Sequence, residues 1–294
     1  MSPRWGWLLG AAVLGAVVWW VGTDPFVSGV RALDVRTLAV GAILGVPITV
    51  ASAWRWRLVA SGLGADLPLG RATAACYRSQ LLNSVLPGGV LGDVHRGVDH
   101  GQAVGDPARG LRTVAWERTA GQLVQASLAV LVLLLLPSPV RSTLPGMLTL
   151  LVVVVVLLGA LVRTWSTLRA DLAMLVARRI WPGVMVASAV VVAGLVTTYV
   201  VAARAVGVTA RLSTLVPLAV LVLVAAALPA NLAGWGPREG MAAWAFAAAG
   251  LGAEQGLAAS VAFGVMVVVA VLPGAAVLVV GSRASRRARE PVHG

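Results

Sequence analysis

Residues 144–162 read LPGMLTLLVVVVVLLGALV, an apolar run without a single charged side chain. An apolar segment of about 18 or more residues is long enough to cross the hydrocarbon core of a bilayer as one helix. Comparable runs recur along the chain, and the sequence therefore predicts about six full membrane spans. They lie at residues 5–21, 38–56, 120–136, 144–162, 184–203 and 257–280.

The composition agrees with a membrane protein. Of the 294 residues, 59% are hydrophobic and 12% are charged, and the mean hydropathy is +0.90. A soluble domain is typically about 25% charged. The fold class predicted is an all-α polytopic transmembrane bundle, with a transmembrane domain over residues 1–281 and a basic cytoplasmic tail over residues 282–294. The first apolar run resembles a signal peptide, but it contains four tryptophans, and we expect it to be an uncleaved helix.

Two further apolar stretches are interrupted by proline and glycine. Residues 72–90 are broken by Pro87-Gly88-Gly89, and residues 212–250 by Pro229 and by Gly234-Trp235-Gly236-Pro237. Each break has Leu-Pro, a turn of small residues, and then an acid and an arginine at the start of a new helix. We interpret them as two broken, re-entrant-like hairpins that form an inverted repeat, a pattern typical of alternating-access transporters. The alternative is two proline-kinked helices that are alike by chance.

The arginines of the short loops favour one orientation. If each hairpin returns to its own side, most arginines fall on the side of the N-terminus, with Arg55, Arg96 and Arg118 counted among these inner-loop residues. Basic loops stay cytoplasmic, so the prediction is a multi-pass protein of the plasma (inner) membrane with both termini inside. Tryptophans near span ends, Trp56 among them, are predicted to be interfacial anchors.

The second break carries an intramembrane ion pair. Pro237 suits the first position of a helix, Glu239 then lies in the first turn, and Arg238 stands beside it. A helix N-terminus joined to an arginine suits an anion such as a phosphate. Charges inside a membrane are costly and usually functional. The alternative is that Arg238 and Glu239 only neutralise each other.

The first break repeats this logic. Asp93 is predicted to cap the new helix, with Arg96 in its first turn. Glu117 and Arg118 are predicted to open the helix that continues to Leu136, either closing one end of a cavity or forming an ion pair at headgroup level. Asn83 lies near the break and can donate hydrogen bonds to a headgroup or to another helix.

Catalytic chemistry has little support in the sequence. The three histidines lack a zinc-binding spacing, and there is no lysine for a phosphate-binding loop. Asp93, Asp99 and Asp106 could bind Mg²⁺ but are spread along a loop. We predict no catalytic residue, no metal and no cofactor, and a protein that is not an enzyme. The single cysteine, Cys76, excludes an intramolecular disulfide, and the arginine excess does not indicate a nucleic-acid partner.

These residues resemble a known family. Asn83-x-x-Leu86-Pro87-Gly88, Gly92-Asp93-Val94-x-Arg96, Glu117-Arg118 and Gly234-Trp235-Gly236-x-Arg238-Glu239 are similar to the lysylphosphatidylglycerol synthase transmembrane (flippase-like) family, over residues 5–281. The Gly-Trp-Gly-x-Arg-Glu element, followed by Gly250-Leu251-Gly252 and Ala258-Ala259-Ser260, is the most specific part. Pro237 and Ala233 depart from the usual pattern without removing a charge.

The resemblance implies a polytopic inner-membrane protein that moves a lipid between leaflets or handles a lipid-linked substrate. In the two-part synthases of this family a soluble aminoacyl-transferase domain follows the membrane part. This chain stops soon after its last helix, so we expect no transfer of lysine to lipid.

The sequence thus predicts a translocase for an anionic phospholipid or a polyprenyl-phosphate-linked lipid. The predicted substrate-binding residues are Arg238, Glu239, Arg96, Asp93, Glu117, Arg118, Asn83 and Trp235. One alternative is a membrane scaffold or subunit for a lipid- or glycan-modifying enzyme, partnered by that enzyme or by further copies of the chain. Another is an intramembrane transferase that depends on Asp93 or Glu117. A polar cavity joining the two breaks favours transport or catalysis, and a dry packed seam favours the scaffold.

Overall fold

The computed structural model describes residues 15, 18–86, 89–136, 138–139, 144–177, 180–228 and 235–279. These residues form helices joined by short connections, which confirms the predicted all-α class. The helices are α1 (Asp24–Arg31), α2 (Val35–Gly62), α3 (Leu69–Val85), α4 (Leu91–Ala103), α5 (Pro107–Leu135), α6 (Leu144–Thr164), α7 (Ser166–Ala177), α8 (Trp181–Ala205), α9 (Leu212–Ala226), α10 (Pro237–Ala248) and α11 (Ala253–Val271).

Four helices in the described residues are long and apolar enough to cross a membrane. They are α2, α5, α8 and the helical segment Ala253–Val279, and they match four of the predicted spans. A fifth span results if α6 and α7, which meet at a bend of 112°, are counted as one broken pair. The predicted first span over residues 5–21 lies almost wholly outside the described residues, as does the predicted tail over residues 282–294.

The long helices begin at capping residues. The Thr37 backbone N–H donates to the Asp34 carboxylate at 2.8 Å at the start of α2, and this hydrogen bond lowers the pKa of Asp34. Asp106 accepts from the Arg109 N–H at 2.9 Å at the start of α5, and Pro107 takes the first helical position. The prediction that Glu117 opens this helix is therefore wrong. The Asp-Pro start lies ten residues earlier and places Glu117 in the helix interior.

Two helical hairpins are built from helices shorter than the four long helices. α3 and α4 have 17 and 13 residues, and α9 and α10 have 15 and 12. At 1.5 Å per residue even α3 is only about 26 Å long, against about 30 Å of hydrocarbon. Gly89 turns the first hairpin with a φ of 61°, which favours glycine. The predicted breaks thus separate short helices, although Pro87, Gly88 and residues 229–234 lie outside the described residues.

The central helix of the bundle is α11, which packs against α1, α2, α8 and α10. Its buried face joins a hydrophobic core with Tyr199, Phe246 and Phe263, whose rings contact one another. Small residues bring the backbones close together: a Cβ added at Gly45 would lie 2.5 Å from the Cβ of Ala270. Such close approach is how membrane helices gain packing energy without a hydrophobic driving force.

The helix α6 stands at the edge of the bundle. Its side chains from Val152 to Leu157 are exposed and apolar, as expected of a surface that faces lipid acyl chains. The following helix α7 turns away and is held against α5 by Asp171, which accepts from Arg112 Nε at 2.9 Å and from Trp116 Nε1 at 3.1 Å.

The packing of α4 on α5 predicts the effect of one added methyl group. A Cβ at Gly110 would lie 2.3 Å from the Gly97 carbonyl oxygen and 2.4 Å from the Gly101 Cα, both rigid backbone atoms. Forced overpacking of this kind costs about 1–3 kcal/mol. We expect Gly110→Ala to lower the melting temperature of the protein in detergent by several degrees.

The matched control for this prediction is Gly159→Ala in α6, where nothing lies within 4 Å of the added carbon. Because alanine has the higher helix propensity, this change should leave the melting temperature unchanged or slightly raised. Equal melting temperatures for the two variants would contradict the close α4–α5 contact.

Candidate functional site

A cavity of about 350 Å³ lies between the two hairpins. Gly89 and Asp93 of the first hairpin line it, and so do Ala227 and Arg238 of the second. Residues that flank the two breaks singled out by the sequence therefore line one polar cavity. Non-helical backbone at membrane depth is tolerated where it lines such a space.

Five charged side chains from three helices form one wall. This five-charge cluster consists of Arg55 on α2, Asp93 and Arg96 on α4, and Glu117 and Arg118 on α5. Glu117 lies at its centre and is only 1% exposed. It accepts from Arg55 Nε at 2.8 Å and from Arg96 Nη2 at 2.6 Å. An unpaired carboxylate at this depth would cost several kcal/mol, so the two guanidinium groups make its burial possible.

Asp93 ties the first hairpin together. It accepts from Ser79 Oγ at 2.8 Å and from Asn83 Nδ2 at 2.9 Å on α3, and it also contacts Arg118 on α5. Asn83 in turn accepts from the Gly92 N–H at 2.8 Å. The prediction that Asp93 caps α4 is wrong, because Val90 is the N-cap residue and the Asp93 carboxylate turns instead to α3.

Arg96 lies one turn further along α4 than expected and is buried. Its Nε lies 3.0 Å from Asp93 Oδ1, and its Nη1 donates to Cys76 Sγ at 3.3 Å. The guanidinium carbon lies 4.7 Å from the ring centre of Trp56, which is 1% exposed and donates to Thr113 Oγ1 at 3.1 Å. Trp56 is therefore not an interfacial anchor, since its ring covers a buried cation.

The second hairpin contributes the Arg238–Glu239 pair. Arg238 Nε donates to Glu239 Oε1 at 2.8 Å, and Glu239 Oε2 accepts from the Gly236 N–H at 2.8 Å. Ser260 on α11 donates to the same carboxylate at 3.1 Å. Pro237 and Glu239 occupy the first turn of α10, as predicted. The two charged side chains are 7% and 0% exposed, so they are held inside the bundle.

Aromatic rings and glycines shape the space around the arginines. Trp235 and Phe263 lie 5.1 Å and 5.5 Å from the Arg238 guanidinium carbon. A Cβ at Gly264 would lie 2.5 Å from Arg238 Nη2, and one at Gly121 would lie 2.7 Å from Arg55 Nη1. A side chain added at either glycine would therefore have to displace a guanidinium group.

Sequence reasoning missed several of these residues. Arg55 is not in a loop: it lies within α2, is 8% exposed, and donates to Ser188 at 3.1 Å as well as to Glu117. A usable signal was the recurrence of small or polar residues every three or four positions on α2, a pattern typical of a helix face that lines a cavity. Its members are Gly41, Gly45, Thr49, Ser52 and Arg55, all of which line the cavity.

The helix α5 connects the two hairpins across the cavity. Gln125 donates to the Leu223 carbonyl at 2.9 Å, and Gln122 to the Ala227 carbonyl at 3.4 Å. These acceptors belong to the last turn and C-cap of α9, where the Leu223 carbonyl also accepts from the Ala227 N–H at 3.2 Å. α5 thus carries Glu117 for the first hairpin and two amides for the second.

The site favours an anion over a metal ion. Four arginines line the cavity, and three carboxylates lie within hydrogen-bond reach of them, which leaves one positive charge in surplus. Asp99 and Asp106 are remote from this wall, since one pairs with Arg78 and the other caps α5. Within the described ranges no three acidic, histidine or cysteine side chains come together as a metal site.

The buried position of Glu117 predicts a large effect for its neutralisation. Glu117→Gln would leave Arg55 and Arg96 with a surplus of buried positive charge, and breaking a buried ion pair costs about 3–5 kcal/mol. We expect a strongly lowered melting temperature in detergent. Asp99→Asn is the control, because the Asp99 side chain is 48% exposed and an exposed pair contributes about 0–1 kcal/mol. Similar melting temperatures for the two variants would argue against the central place of Glu117.

Comparison with known proteins agrees with this architecture. No curated protein matches the chain. The model of one family, described as the lysylphosphatidylglycerol synthase TM region, matches residues 7–274 and so includes both hairpins and every charged residue of the cavity. The chain therefore belongs to the lysylphosphatidylglycerol synthase transmembrane family, as a membrane domain of that family.

Proposed function

We propose that the protein is a lipid translocase that passes the headgroup of an anionic phospholipid, or of a polyprenyl-phosphate-linked lipid, through the cavity between the two hairpins. The observation that carries the proposal is that residues flanking both helix breaks line the same cavity, and that this cavity holds four arginines. Membership of a lipid-related membrane family agrees with a lipid substrate.

The pairing of the charges within the site explains how a protein with such a cavity can stay folded. Glu117, Asp93 and Glu239 each accept from an arginine, so most of the buried positive charge is compensated before a ligand arrives. An incoming phosphate exchanges water for guanidinium donors, which form charge-assisted hydrogen bonds roughly twice as strong as neutral ones. The acyl chains stay in contact with the apolar outer surface of the bundle and with the bilayer.

The cavity also supports transport over the scaffold hypothesis. A scaffold needs no polar space between its helices, and a buried arginine such as Arg238 would carry only a penalty there. Serine and amide side chains line the same space, including Ser52, Ser79, Gln80 and Gln122. These side chains can form successive hydrogen bonds with a polar headgroup as it moves along the cavity.

Leaflet exchange in liposomes tests the proposal. Liposomes containing the purified protein and fluorescent phosphatidylglycerol should lose leaflet asymmetry faster than empty liposomes. Arg238→Gln should slow exchange by about tenfold or more, because one charge-assisted hydrogen bond contributes about 1.5–3 kcal/mol. The double variant Arg238→Gln/Glu239→Gln should be equally slow while avoiding an unpaired buried Glu239.

The control is Arg57→Gln, an exposed arginine on α2 outside the cavity lining, which should exchange lipid at the wild-type rate. Wild-type protein that matches empty liposomes for every anionic lipid would overturn the proposal. So would a double variant that is folded and as fast as the wild type.

A further inference from the structure

We propose that Arg118 and Arg238 are the two arginines that bind the ligand, and that the ligand is a lipid phosphodiester carrying one negative charge. Arg55 and Arg96, in contrast, are positioning residues that hold the five-charge cluster together. This inference deepens the proposed function and rests on it.

Arg55 and the two terminal nitrogens of Arg96 are already engaged in buried contacts, and Arg96 Nε is buried beside Asp93 without forming a hydrogen bond to a described residue. Every guanidinium nitrogen of Arg55 is engaged: Nε and Nη2 donate to Glu117, and Nη1 donates to Ser188 at 3.1 Å. In Arg96, Nη2 donates to Glu117, Nη1 to Cys76, and Nε faces Asp93 at 3.0 Å. A phosphate would have to break these buried contacts to reach either group, at the full desolvation cost of the partner left behind.

Arg118 and Arg238 have donors left over within the described residues. There Arg118 contacts Asp93 through Nη2 alone, and its side chain is 45% exposed while lining the cavity. Arg238 uses Nε and Nη2 for Glu239 and Ser260, and its Nη1 makes no hydrogen bond within the described part of the chain. One arginine comes from α5 beside the first hairpin and the other from the second hairpin, so the cavity has an arginine donor next to each hairpin.

The charge count sets the charge of the ligand. The arginines 55, 96, 118 and 238 carry four positive charges, and Asp93, Glu117 and Glu239 carry three negative charges. A phosphodiester with one negative charge makes the occupied site neutral. A phosphomonoester with two negative charges would change the net charge of the site from +1 to −1 near the buried carboxylates Glu117 and Glu239, which is unfavourable.

The lining also indicates a lipid rather than a soluble phosphate ester. Beyond the polar wall the same cavity is bordered by an apolar group of side chains that would contact the first part of an acyl chain. This group consists of Val191, Val192, Leu195, Val267, Ala270 and Val271. Burial of apolar ligand surface there adds affinity that a headgroup without chains lacks.

Binding of water-soluble probes to the purified full-length protein in detergent tests the inference separately from transport. The probes are dihexanoyl-phosphatidylglycerol, dihexanoyl-phosphatidylcholine, dihexanoyl-phosphatidic acid at pH 8, and chain-free glycerophosphoglycerol. We expect dihexanoyl-phosphatidylglycerol to bind about tenfold or more tighter than each of the others.

Two variants separate the effect of losing a hydrogen-bond donor from the effect of losing the surplus positive charge. Arg118→Gln removes both a donor and the surplus charge, so affinity for dihexanoyl-phosphatidylglycerol should fall and the preference over the zwitterionic probe should disappear. Arg238→Gln/Glu239→Gln removes a donor but keeps the surplus charge, so affinity should fall while the preference remains. Arg57→Gln should bind like the wild type, and melting curves confirm that each variant is folded.

The inference is overturned if the wild type binds phosphatidic acid or phosphatidylcholine as tightly as phosphatidylglycerol, if glycerophosphoglycerol binds equally well, or if folded Arg118→Gln is unchanged. Should the binding pattern hold while liposomes show no exchange, the translocase proposal fails and the assignment of the site stands. If liposomes show lipid exchange but binding does not depend on the charge of the probe, the translocase proposal stands and the assignment of the site fails.

Discussion

One carboxylate, that of Glu117, constrains the rest of the site. It is almost completely buried, and it is tolerable only because Arg55 and Arg96 reach it from two other helices. Arg96 can do so only if α4 folds back beside α5, and Gly121 leaves room on α5 for the Arg55 guanidinium group. The geometry of the first hairpin is thus fixed by the need to compensate a single buried charge.

The helix breaks provide what continuous helices could not. A helix interior satisfies its own backbone and offers only side chains to a cavity, whereas a hairpin end also brings a new helix start and small residues into the space between neighbours. Here the first hairpin presents Asp93 and the second presents Arg238. Because α5 hydrogen-bonds the end of α9 through Gln122 and Gln125, the two hairpins share one supporting helix.

A charged cavity inside an apolar bundle is stable only if its charges nearly cancel, and useful for binding only if they do not cancel completely. The three carboxylates compensate three of the four arginines, and the charge of the fourth arginine remains for a ligand. Apolar side chains such as Leu195 and Val267 line the same cavity, so its lining combines ionic and apolar groups. That combination is complementary to an anionic lipid, whose charge and chains are joined at the phosphate.

The sequence by itself determined the membrane bundle, the positions of the two breaks, and the Arg238–Glu239 pair at the start of α10. These features are local, because long apolar runs, Pro-Gly interruptions and neighbouring first-turn residues act within a few positions of each other. Only the tertiary structure decided that Arg55 pairs with Glu117, 62 residues away, that Trp56 covers Arg96, and that Asp93 turns to α3 instead of capping α4. A buried charge takes its partner from whichever helix packs beside it, and that choice depends on close backbone contacts at residues such as Gly92 and Gly110, which hydropathy does not encode.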